Sequence, residues 1–126
     1  MIREGFLHSS KEFIYLQFGD LEYDINTSLE MLKKTQEQNL DAMFGSRLKN
    51  IKNLTQLFKT TFNNPTYLAT LICIFLINFF YNKNFTDIIG AKLYRKDTVK
   101  YVLPKTSGQG FDFELVSLVC KKNIKS

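Results

Sequence analysis

The sequence predicts an α+β fold in one domain spanning residues 1–126. Three observations carry that expectation. Residues 11–25 alternate like a β-hairpin, residues 27–62 carry amphipathic helical stripes, and the run from Pro65 to Tyr81 is apolar on nearly every side. A chain of 126 residues buries about two-thirds of its unfolded surface, enough for a single core. No internal repeat, low-complexity tract or Pro/Gly/Ser linker divides it. The expected architecture is an N-terminal β-hairpin and a helical layer around a central apolar helix at about 65–82, followed by a basic C-terminal part.

The start of the chain, Met1-Ile2-Arg3-Glu4-Gly5-Phe6, has no apolar signal-like region, so secretion is not indicated. Cys73 and Cys120 form no CxxC or Cys/His cluster and read as reduced thiols of a cytoplasmic protein. His8, beside Ser9 and Ser10, has no identifiable acid partner and reads as an exposed, mobile residue.

In the hairpin, Glu12 to Phe18 is β-prone, Gly19-Asp20 suits a two-residue turn, and Leu21 to Ile25 alternates. Leu21, Tyr23 and Ile25 then face inward, leaving Asp20, Glu22 and Asp24 outside. Thr27-Ser28-Leu29-Glu30 fits a capping box with Thr27 as N-cap. The helix it opens directs Leu29, Leu32, Leu40, Met43 and Phe44 to the core and stops at Gly45. A second amphipathic helix is expected from about Arg47 to Phe62. Leu48, Ile51, Leu54, Phe58 and Phe62 form its apolar stripe, and Lys49, Lys52 and Lys59 form a basic outer face.

Asn63-Asn64-Pro65 reads as a helix start, with Asn64 as N-cap and Pro65 at the first helical position. From Tyr67 to Tyr81 only Thr70 and Asn78 interrupt the apolar run. It covers about 22 Å, too short for a hydrocarbon core of ~30 Å, so no stable membrane insertion is expected. Its predicted place is the centre of the core, with Leu71, Ile74, Phe75 and Ile77 essentially fully buried within the protomer or an obligate dimer. Asn78 must find a hydrogen-bond partner, in an interface or on nearby backbone.

Beyond Lys83 two readings compete. Residues 85–94 form a short helix followed by a second from Asp97 to Leu103, or residues 91–103 form a hairpin of a small antiparallel sheet. Pro104 ends either element. Residues 105–110 are a loop, and Phe111 to Val119 begins as an alternating strand. In the helical reading, residues 85–103 with the following loop and strand resemble the outline of winged-helix proteins. Ile89 stands where that family has a small residue, or that residue sits one place out of register at Gly90, and the turn glycine is absent. The resemblance implies DNA binding through the second helix.

Charge is placed unevenly. Residues 1–82 hold 8 Lys/Arg and 8 Asp/Glu, whereas residues 83–126 hold 9 Lys/Arg against 4 Asp/Glu and so carry the whole net charge of +5. The 14 Lys among 17 basic residues also fit an AT-rich coding composition. An anionic partner is one reading of that asymmetry. The candidate nucleic-acid-binding residues are Lys92, Arg95, Lys96, Lys100 and Lys105, with Lys49, Lys52 and Lys59 as a secondary face. Tyr94 and Tyr101, interleaved among them, are candidates to stack bases.

The acidic strand residues, with Asp112 and Glu114, would suit a divalent metal for phosphodiester hydrolysis if their strands were neighbours; no metal-spaced histidine supports that. No catalytic residue, metal ligand or cofactor is predicted. The leading expectation is a small non-catalytic binding protein acting on nucleic acid. A protein-interaction module (an assembly subunit, an inhibitor of a larger protein, or a homodimer) is the alternative, and a metal-dependent nuclease a distant third.

Overall fold

The structure, a computed structural model, describes residues 2–17, 25–46, 65–100, 102–106, 108 and 110–126. In chain order the described elements are α1 (Ile2–His8), β1 (Phe13–Leu16), α2 (Ile25–Glu37), β2 (Ala42–Phe44), α3 (Pro65–Tyr81), β3 (Lys92–Arg95), α4 (Lys96–Val99) and α5 (Phe111–Lys121). Helices beside a small antiparallel sheet make this an α+β fold, as the sequence predicts.

The sheet has the order β1-β3-β2, so the last strand in sequence is central. β1 runs antiparallel to β3 with Ile14 opposite Tyr94 and Leu16 opposite Lys92, while β2 places Ala42 opposite Tyr94 and Phe44 opposite Lys92. The two-residue period of a strand therefore sorts these residues onto two faces. Ile14, Leu16, Ala42, Phe44 and Tyr94 pack with Phe6 of α1 and with Phe111, Leu115 and Val119 of α5. Phe13, Tyr15, Met43 and Leu93 turn to the other face, where Met31 and Leu32 of α2 meet them. α3 packs on the far side of α5 through Ile74 and Ile77, against Val116, Cys120 and Ile88.

Three helices stop in the same way. Asn39, Asn82 and Asn123 adopt φ of 48°, 50° and 52° just past α2, α3 and α5. Each is followed by an amide that reaches back six residues inclusive: Leu40 to the Thr35 carbonyl at 2.9 Å, Lys83 to Asn78 at 3.1 Å and Ile124 to Val119 at 3.1 Å. This is the Schellman cap, with asparagine in the left-handed position that glycine more often holds.

Several expectations need correction. The described partner of β1 is β3, not an adjoining hairpin strand. The expected turn Gly19-Asp20 and the strand residues Leu21, Glu22, Tyr23 and Asp24 lie outside the described residues, and Ile25 opens α2. Thr27 consequently stands inside α2 and is not its N-cap. α2 ends at Glu37, well before Gly45, because residues 42–44 leave the helix to pair with β3. Residues 92–95 are a strand and α4 is one turn long, so a helix-turn-helix with a recognition helix is not formed. Residues 111–121 are helical, which removes the wing: Phe111, Leu115, Val116, Val119 and Cys120 bury one helical stripe. The expected helix over 47–62 lies outside the described residues.

Candidate interaction surface

α3 begins at Pro65 and ends at Tyr81, as the sequence predicts, and no charged residue occurs between Pro65 and Asn82. A helix turns about 100° per residue, so Thr70, Ile74 and Ile77, all buried, share one side. The opposite side carries Leu68, Ile72, Phe75, Leu76, Phe79 and Phe80. All are exposed; Phe75, Phe79 and Phe80 retain 66%, 71% and 73% of their accessible surface.

Phe75 is therefore not buried within the protomer, and Leu71 is only half-buried there, which leaves the expected burial in a dimer as the other form of that expectation. The physical reason is that α5 and the segment around Ile88 cover one side of α3, while the opposite side stays exposed. Phe75 and Phe79 stack with ring centroids 6.3 Å apart, and Phe80 meets Phe79 edge-on at 5.6 Å. With aromatic side chains of about 200 Å² each, the bare face amounts to something on the order of 700 Å² of apolar surface. The largest apolar patch on an ordinary monomer is roughly 300–600 Å².

Asn78, the polar interruption of this helix, is satisfied internally. Its Nδ2 donates to the Phe85 carbonyl at 2.8 Å, and the Phe85 amide donates to its Oδ1 at 2.8 Å. That two-point clamp pins the chain leaving α3 and is not part of the bare face.

The structure describes five of the predicted basic residues, of which Lys96 and Lys100 line one small pocket beside α1. Lys92 is fully buried. Its Nζ donates to the Ile89 carbonyl at 3.1 Å, the Gly90 carbonyl at 3.0 Å and Asp112 Oδ1 at 2.6 Å, and an ammonium has three protons to give. Lys92 is thus withdrawn from any contact with phosphate. Arg95 pairs with Glu12 at 3.0 Å and Asp41 at 3.3 Å, and its guanidinium lies 5.2 Å from the centre of the Phe13 ring. Lys100 faces Asp97 at 3.5 Å. Lys96 is half-buried and Lys105 exposed, with no ion pair at either among the described residues. Tyr94, expected among these cations, is buried inside the sheet, whereas Tyr101, Lys49, Lys52 and Lys59 lie outside the described residues.

Of the acidic candidates, Asp112 and Glu114 have internal partners. Asp112 is held by Lys92. Glu114 accepts the Thr106 hydroxyl and the backbone amides of Lys105 at 3.1 Å and Thr106 at 2.9 Å, and these bonds, the hydroxyl's first, hold its carboxyl below the usual range. Both stand in the first turn of α5, where negative charge suits the helix dipole. Asp20, Glu22 and Asp24 lie outside the described residues. Among the described residues no group of three or more His, Cys, Asp or Glu is placed to hold a metal ion.

A cavity of about 820 Å³ opens between α1, the start of α3 and the start of α5, lined by Ile2, Thr70, Ile89, Phe111 and Asp112 among others. Part of its polar wall is engaged internally, Asp112 by Lys92, the Thr70 hydroxyl by the Thr66 carbonyl at 3.0 Å, and Thr106 by Glu114, while Arg3 and Lys105 also line it. The cavity combines shape with a partly engaged polar wall, whereas the bare face of α3 is a continuous uncharged surface and is the candidate pursued below. Among the described residues no helix is long and apolar enough to cross a membrane. Compared with protein-family models, with curated proteins and with solved structures, the chain gives no match.

Proposed function

We propose that this chain is a non-catalytic protein-interaction module that docks its partner through the bare face of α3. The observation that carries the reading is the continuous stripe Leu68, Ile72, Phe75, Leu76, Phe79 and Phe80, exposed and without a charged residue. Buried centres of interfaces are enriched in aromatic residues and depleted of charge, and this stripe has that composition. Nucleic-acid binding through the basic C-terminal third has less behind it, since Lys92 is buried and Arg95 is shared between two carboxylates.

Two paired variants separate these readings. The dilute protein should bind an apolar fluorescent probe, and Phe75→Asp/Phe79→Asp should abolish that binding with the helical circular dichroism unchanged. Duplex DNA should show no salt-dependent binding, with or without Lys96→Ala/Lys100→Ala. A slope of log K against log salt of roughly −3 to −4, reduced by the two alanines, would instead establish phosphate recognition.

A further inference from the structure

Building on the reading of α3 as a docking surface, we propose that its occupant is a second copy of the same chain, with two α3 helices packed antiparallel about a two-fold axis. The stripe specifies a helix as partner. Leu68, Ile72, Phe75 and Phe79 follow one another at intervals of four, three and four residues, the spacing of a helix–helix seam in which side chains of one helix enter the gaps of the other.

The area agrees. A patch on the order of 700 Å² is close to the roughly 800 Å² that each partner of a stable interface buries. The chemistry is self-complementary as well. A two-fold contact sets a surface against itself, so any net charge on it would meet its own sign; here the seam has none. Antiparallel pairing also brings each helix's positive end beside the other's negative end. The net charge of +5 lies off this face and acts between the copies only as a long-range repulsion, which salt screens.

The test is sedimentation of the full chain between about 1 and about 200 µM, a range that covers micromolar affinities. A monomer–dimer equilibrium is expected, strengthened rather than weakened by added salt, and Phe79→Asp should hold the protein monomeric with unchanged helical content. Geometry is read by disulfide formation in a Cys73→Ser background. Chains with Leu68→Cys mixed with chains with Phe79→Cys should form the mixed disulfide, and Leu29→Cys on the exposed side of α2 should form none. Homodisulfides at position 68 alone would overturn the antiparallel arrangement.

A monomer throughout that still binds the apolar probe would overturn self-association while keeping α3 as a docking surface. A monomer that instead floats with neutral phosphatidylcholine vesicles would assign the face to lipid. A monomer that binds neither would mean that the chain itself fills the face, and both readings would fall.

Discussion

Lys92 of β3 and Asp112 of α5 meet at 2.6 Å inside the protein, the lysine side chain fully excluded from solvent and that of Asp112 13% exposed. The contact joins the central strand to the helix that covers it, across 20 residues of sequence. Removing two charges from water costs several kcal/mol per ion, and the pair is tolerable because the ammonium also holds two backbone carbonyls. Its role is positional: it fixes α5, and α5 is what α3 packs on.

Breaking that pair from one side should be severe. Lys92→Met is expected to cost about 3–5 kcal/mol in urea unfolding at neutral pH, because Asp112 is left buried without its cation. The double variant Lys92→Met/Asp112→Leu should recover most of the loss. Equal losses in the single and the double variant would contradict a burial penalty as the cause.

Tyr94 gives the pH dependence. Its hydroxyl is buried with no hydrogen-bond partner among the described residues, and burial first, then the nearby Asp112 carboxylate, push its ionisation well above the usual tyrosine value of 10. A group whose folded pKa is raised contributes stability that is complete below the unfolded pKa and is lost as pH rises beyond it. The protein should therefore lose stability progressively above about pH 10. Tyr94→Phe should remove Tyr94's share of that loss and, by deleting an unsatisfied hydroxyl, stabilise the neutral protein by about 1 kcal/mol. Unfolding midpoints at neutral and alkaline pH decide it.

Asn78 should be indispensable to the end of α3. Asn78→Ala leaves the Phe85 amide and carbonyl without their partner, at a cost of about 1–3 kcal/mol for each buried group that finds no water. The loss should appear in hydrogen exchange as faster opening around residues 78–85. Unchanged protection there would show that the clamp is redundant.

How much of this was legible follows from where the information lies. The bounds of α3 are local, set by proline at its first position and by the polar residues after Tyr81, and the sequence reveals them. Which side of α3 is covered is not local, because residues 67–81 are apolar almost all round and only the position of α5 selects a face. Phe111 to Val119 shows the same limit. It alternates at its start like a strand, yet Phe111, Leu115 and Val119 also recur every four residues, and the helical period prevailed. The pairing of β1 with β3 joins residues about 80 positions apart and leaves no local mark. Lys92 misled for a related reason: a lysine among basic neighbours reads as surface until its strand is found at the centre of the sheet. The asparagine caps were legible in principle, since Asn39, Asn82 and Asn123 each follow a helical stretch.

The central claim is that α3 has one side built into the fold and the other left for a partner. Equilibrium urea unfolding of Ile77→Ala beside Phe79→Ala, at a concentration where the chain is monomeric, tests it most directly. Ile77→Ala should cost about 2–5 kcal/mol, as a large-to-small change in a core does, and Phe79→Ala should change stability by less than about 0.5 kcal/mol. A loss of about 3–5 kcal/mol for Phe79→Ala as well would contradict the account, because it would place that side of α3 inside the folded chain.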